Sequence, residues 1–167
     1  MKKFWIAFLL GVSALWADNS WVSVNIVDDI HMDFPSAPNQ MIHQVPLVNG
    51  KQMDYVIYLC EEDDALFMAL IGKYPMNVDK NDEMKGLKGF LQGILSGRQN
   101  RLIRADVVSY KGKNAIAFEM VSDDKKFLGR AFIYQSKIFL LAEQSTMSRE
   151  YSNYYERFLE SFREVKE

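Results

Sequence analysis

Apolar residues alternate with polar ones along most of this chain, and in two stretches they recur instead at spacings of three and four. Over 21–27, Val22, Val24 and Ile26 share one side, which predicts a strand. After the turn Asp28-Asp29, Ile30, Met32 and Phe34 alternate again, until Pro35 and Pro38 withdraw ladder donors. Residues 41–47 make a weaker strand, which Pro46 assigns to a sheet edge. Asn49-Gly50 suits a type I′ hairpin turn, whose two central residues need positive φ, and 52–60 returns as the partner strand. The acidic turn Glu61-Glu62-Asp63-Asp64 leads into 65–74, which is apolar on both sides. A helix would also fit there, but the early punctuation by Gly72 and Pro75 favours a central strand covered on both faces.

The first helical spacing falls over 79–97, where Met84, Leu87, Leu91, Ile94 and Leu95 form one stripe. Asp79 and Asp82 suit its first turn and Gly97 its end. Alternation resumes over 102–110, 115–121, 127–135 and 137–143, joined by short polar turns. A last helix is expected over 148–165, with Tyr151, Tyr155, Phe158, Leu159 and Phe162 on its buried side. Hairpins, helix, hairpins, helix is the order of an α+β fold. It predicts an antiparallel sheet built from hairpins and flanked by two main helices, and opposes a parallel βαβ arrangement.

The start of the chain changes where this domain is expected to work. Lys2 and Lys3 precede an uncharged run from Phe4 to Val12, and Ala17 closes it, which is the pattern of a secretory signal peptide over 1–17. Cleavage after Ala14 is the alternative. The run is shorter than the roughly 20 apolar residues of a spanning helix, and no later stretch reaches that length. With no Cys behind the run, a lipoprotein anchor is not expected. The organisation read from this is a leader, an N-terminal strand segment over 18–29, and one α+β domain over 30–167. The compartment is the periplasm, or the medium beyond it. Loss of Lys2 and Lys3 takes the net charge from −2 to −4, which argues against general nucleic-acid binding. The single cysteine, Cys60, cannot form an internal disulfide. It ends a strand-like run and reads as a buried structural thiol, beside acids that would raise its pKa.

Several segments taken in order resemble a known group. They begin with Ile30-x-Met32-x-Phe34-Pro35-x-x-Pro38, followed by Tyr55-Val56-Ile57-Tyr58, Tyr74-Pro75 and the glycine-bearing helix from Gly86 to Gly97. Gly112-Lys113-Asn114-Ala115-Ile116-Ala117-Phe118-Glu119, Gly129-Arg130-Ala131-Phe132-Ile133-Tyr134 and Phe158-Leu159-Glu160-Ser161-Phe162-Arg163 complete the series. Their order and spacing, from about Ile30 to Arg163, resemble exported bacterial proteins of the PsbP-like (PsbP/Mog-type) fold group. The resemblance implies an antiparallel sheet flanked by helices, used as a binding or accessory module. It carries over no catalytic residue.

The residues with chemical potential are few. His31 and Asp33 share the polar side of their strand, and with His43 they are the candidates for a metal ion. No paired-ligand spacing supports them, and a solvated strand face is the ordinary alternative. No nucleophile motif is present, and neither catalysis nor a cofactor is expected. The run Glu61 to Asp64 offers oxygen ligands but lacks a calcium-loop pattern. Gly89, Gly93 and Gly97 fall on one helix side at about 1 kcal/mol each relative to Ala. Close approach of the helix to the sheet is the structural explanation, and a groove for a ligand or partner is the functional one. Arg98, Arg101 and Arg104 complete a candidate interaction surface with Gly89 and Gly93. The function expected is a non-catalytic module that binds a protein partner in the cell envelope. The alternatives are a metal site, or a small apolar ligand held between the sheet and the last helix.

Overall fold

In the computed structural model the residues described are 21–46, 52–73, 82–96, 100–149 and 153–166. Seven strands form one antiparallel sheet: β3 (Asn39–Pro46), β4 (Gln52–Glu62), β5 (Ala65–Lys73), β6 (Arg101–Tyr110), β7 (Lys113–Ser122), β8 (Lys125–Tyr134) and β9 (Lys137–Thr146). Their spatial order is β3-β4-β5-β9-β8-β7-β6. Each half is thus a meander of adjacent hairpins, and the two halves meet where β5 pairs with β9, Ala69 opposite Leu141. The predicted edge strand β3 does lie at an edge, and β5 is a central strand rather than a helix. The 49–50 turn, the leader and the start and end of the 79–97 helix lie outside the described residues.

A second, three-stranded sheet covers one face of the first. It joins β1 (Val22–Val27), β2 (Ile30–Phe34) and the two-residue β10 (Arg163–Glu164) in the order β1-β2-β10. Ile30, Met32 and Phe34 turn inward from β2, as alternation predicts. They pack with Phe67, Phe132, Phe139 and Leu141 of the large sheet and with Tyr155, Phe158 and Leu159 of α2 (Tyr154–Glu160). Edge-to-face contacts of Phe158 with Phe34 at 5.2 Å and with Phe67 at 5.6 Å lock α2 onto this core. Hydrogen bonds fix the layers: the Tyr58 hydroxyl donates to the Ile26 carbonyl at 3.1 Å, and the Tyr110 hydroxyl to that of Leu159.

The last helix is much shorter than its periodicity predicts. It ends at Ser161, and Arg163 and Glu164 instead pair with His31 and Ile30 of β2. The Asp33 N–H donates to the Ser161 Oγ at 3.0 Å, and the Ser161 hydroxyl donates back to the Phe158 carbonyl at 2.7 Å. These tertiary bonds outweigh a further helical turn, and Phe162 still enters the core from beyond the helix end.

On the opposite face lies α1 (Glu83–Ser96), packed on β7 and β8. Leu87 and Leu91 are its buried contacts, meeting a layer that includes Ile116, Phe118, Ile133 and Ile138. No described helix is long and apolar enough to cross a membrane.

Candidate functional site

A single helix cannot cover a seven-stranded sheet. The helix with its side chains is about 10–12 Å wide. Seven strands at about 4.8 Å span roughly 29 Å. Because α1 rests on the β7–β8 half, the flank of the helix and the part of the sheet that the other described residues leave open enclose a groove of about 830 Å³. Its floor is apolar and comes from successive strands: Tyr55 and Ile57 of β4, Met68 and Leu70 of β5, Leu140 of β9, Phe127 of β8 and Met120 of β7. Gly89, Phe90, Gly93 and Ile94 of α1 form the wall. His43 of β3 stands at one end, and Ser122, Asp123, Asp124, Lys125 and Gln144 at the other. Burial pushes the Tyr55 phenol above its ordinary pKa, so this hydroxyl enters the groove as a neutral donor or acceptor.

The glycine spacing seen in the sequence marks the groove and does not mark close packing. A Cβ added at Gly89 or Gly93 would meet no described atom within 4 Å. The close approach expected of them occurs elsewhere, at Gly129 of β8. There a Cβ would stand 2.4 Å from Cζ of Phe118, its cross-strand partner. Gly129 of the sheet, rather than Gly89 or Gly93 of the helix, thus needs to be glycine for space.

The other candidates separate. Arg101 and Arg104 lie exposed on the edge strand β6, where Arg104 is ion-paired with Asp106, and Arg98 lies outside the described residues. Gly89 and Gly93 line the groove together with Asn100, the residue before Arg101. His31 and Asp33 point away from the core on β2, and Asp33 accepts from the Arg163 guanidinium at 2.9 Å. His43 pairs with Tyr55 on the α1 side of the large sheet, while β2 covers its other side. The two imidazoles are consequently on opposite sides of a seven-stranded layer. No three His, Cys, Asp or Glu side chains among the described residues come together as metal ligands. Cys60 is buried on the β2 side, and burial, more than the neighbouring Glu62, raises its thiol pKa, against hydrogen bonding from Ser36.

Between the sheet and the last helix, where an apolar ligand is the alternative, the described residues pack as an aromatic core. That space is filled by Phe34, Phe67, Phe139 and Phe158, each fully buried. The groove described above lies beside the first helix. Sequence reading missed the floor residues because Ile57, Met68, Leu70 and Leu140 look like any strand core. The glycine spacing and His43, which the sequence offered for other reasons, pointed toward the site.

No protein-family profile matches the sequence, and no curated protein matches it. Among solved structures, the solution structure of cyanobacterial PsbP (CyanoP) from Synechocystis sp. PCC 6803 superposes with a TM-score of 0.56 at 16% identity. The alignment covers 93% of this chain and 99% of that one. Such a likeness concerns the fold, and it coincides with the architecture built above from strand order and helix placement. The chain has the PsbP-like fold, a large antiparallel sheet with its two helices on opposite faces.

Proposed function

We propose that this chain is an exported, non-catalytic binding module of the cell envelope, and that it docks a segment of a partner protein in the groove beside α1. The observation that carries this reading is the groove itself, an apolar floor crossing the sheet with polar groups gathered at its ends. Its lining runs from His43 on β3 to Met120 on β7. In the strand order these are five spacings apart, about 24 Å. Extended chain covers that distance with about seven residues at roughly 3.4 Å each. A trough of that length suits an extended segment better than a compact small molecule. The accessory role fits the PsbP-like fold.

The test is site-specific photo-crosslinking in living cells. A photoreactive residue in place of Gly89, on the groove wall, is expected to give one discrete adduct, and the same residue in place of Glu160, on α2, none. Equal adducts from both positions, or none from either across growth conditions, would count against the reading. Export is checked on the same material. Asp18 as the N-terminal residue in the periplasmic fraction supports it, whereas an intact Met1 retained in the cytoplasm opposes it.

A further inference from the structure

We infer that the segment this groove takes is cationic at one end, with apolar side chains over the sheet floor and Lys or Arg over an acidic rim. The inference rests on the groove reading above and adds the chemistry of the partner.

Two acidic turns far apart in sequence meet at one end of the large sheet. Ala65 and Lys126 both lie opposite Ser145 of β9. Strands β5 and β8, which leave the two turns, therefore stand two strand spacings apart, about 10 Å, and the turn centres three, about 14 Å. The first carries Glu61, Glu62, Asp63 and Asp64, the second Asp123 and Asp124. Asp63 and Asp64 both have positive φ, 47° and 62°, which makes the first a tight two-residue turn with its carboxylates at the tip of the hairpin. The first turn lines a second depression of about 510 Å³. Lys125 and Gln144 line both this depression and the groove, so the two adjoin, with the first acidic turn on the far side of Lys125.

The described cations near these six carboxylates are Lys125, Lys126 and Arg149. Two of them are engaged with backbone: Lys126 Nζ donates to the Arg149 carbonyl at 3.2 Å, and the Arg149 guanidinium to the Asp63 carbonyl at 2.7 Å. The rim keeps a negative excess. The second depression is lined by Glu61 to Asp64 from the first turn and by Lys125, next to Asp124, from the second, so an approaching ligand meets both turns at one opening. The floor offers no charge to compete, so the rim alone sets the orientation of an apolar segment lying across the sheet.

The experiment uses the purified protein and two short synthetic peptides with the same apolar centre, one ending in Lys pairs and the other in Glu pairs. Fluorescence anisotropy is expected to show the Lys peptide binding about tenfold tighter at low salt, equivalent to about 1.4 kcal/mol. The difference should shrink toward about 0.5 M salt, and it should fall several-fold in Asp123→Asn/Asp124→Asn. Gly93→Trp, which fills the groove, should abolish binding, and Gly89→Trp provides a second filler if the first does not fold by circular dichroism. Equal binding of both peptides, each blocked by the fillers, would overturn the cationic preference and leave the groove reading standing. Binding untouched by either folded filler, or no binding of either peptide, would overturn the groove reading and this inference with it.

Discussion

Replacing Gly89 and Gly93 by Ala tests the geometry on which the site depends. Glycine inside a helix costs about 0.8–1 kcal/mol relative to Ala, because the unfolded chain loses more freedom when it orders. That gain is realised only if the added methyl finds room. At both positions a Cβ meets no described atom within 4 Å, so nothing opposes the gain. The two Cβ atoms, four residues apart on one helix side, would stand about 6 Å from each other and would not clash. The double variant should then be about 2 kcal/mol more stable. For a chain of this size, 1 kcal/mol moves Tm by about 2–4 °C, so the expected rise is about 4–8 °C. Scanning calorimetry gives the shift, and urea titration followed by circular dichroism should show a higher midpoint at unchanged slope. A fall in Tm would mean that α1 sits with its glycines against another part of the chain. The helix flank would then be sealed, and the groove would be refuted with it.

Gly129→Ala should act oppositely. Its methyl would enter the Phe118 ring, which is buried in the layer beneath α1. The crowding should cost about 1–3 kcal/mol, more than the roughly 0.5–1 kcal/mol that Ala recovers in a strand, and an unchanged melt would show the ring free to move aside. Glu143 is buried with Oε2 unpartnered, and desolvation raises its carboxyl pKa despite nearby Arg149 and Lys126. The folded state therefore holds this proton more tightly than the unfolded one. Its stabilising contribution is present below the ordinary value of 4.5 and is lost as pH rises through the folded-state value. Glu143→Gln should exceed the parent in stability at neutral pH, with the advantage shrinking under acid; a constant difference in melts from pH 4 to 8 would contradict this. Cys60 should label with iodoacetamide about a hundredfold more slowly in the native protein than in urea. Fast native labelling would show the thiol exposed.

The elements of this fold follow from short-range pattern. Ile30, Met32 and Phe34 announce an inward strand face, and Pro46 announces an edge. The apolar run from Ala65, cut by Gly72, announces a central strand. Each of these depends on residues one or two positions apart, where alternation maps directly onto the pleat. The acidic turns and the glycine spacing are likewise visible as composition. What they do is not, because it depends on which strand lies beside which. Pairing of β5 with β9 brings residues about seventy positions apart into register, and no local pattern encodes that choice. It alone sets Glu61 to Asp64 beside Asp123 and Asp124. The last helix shows the same limit in reverse. Its apolar period runs on to 165, yet β2 captures Arg163 and Glu164 by hydrogen bonds that no helical spacing reveals. The groove, finally, is a deficit of covering mass. Among the described residues one helix meets this face of a sheet more than twice its width, and that mismatch exists only once the strands are laid side by side.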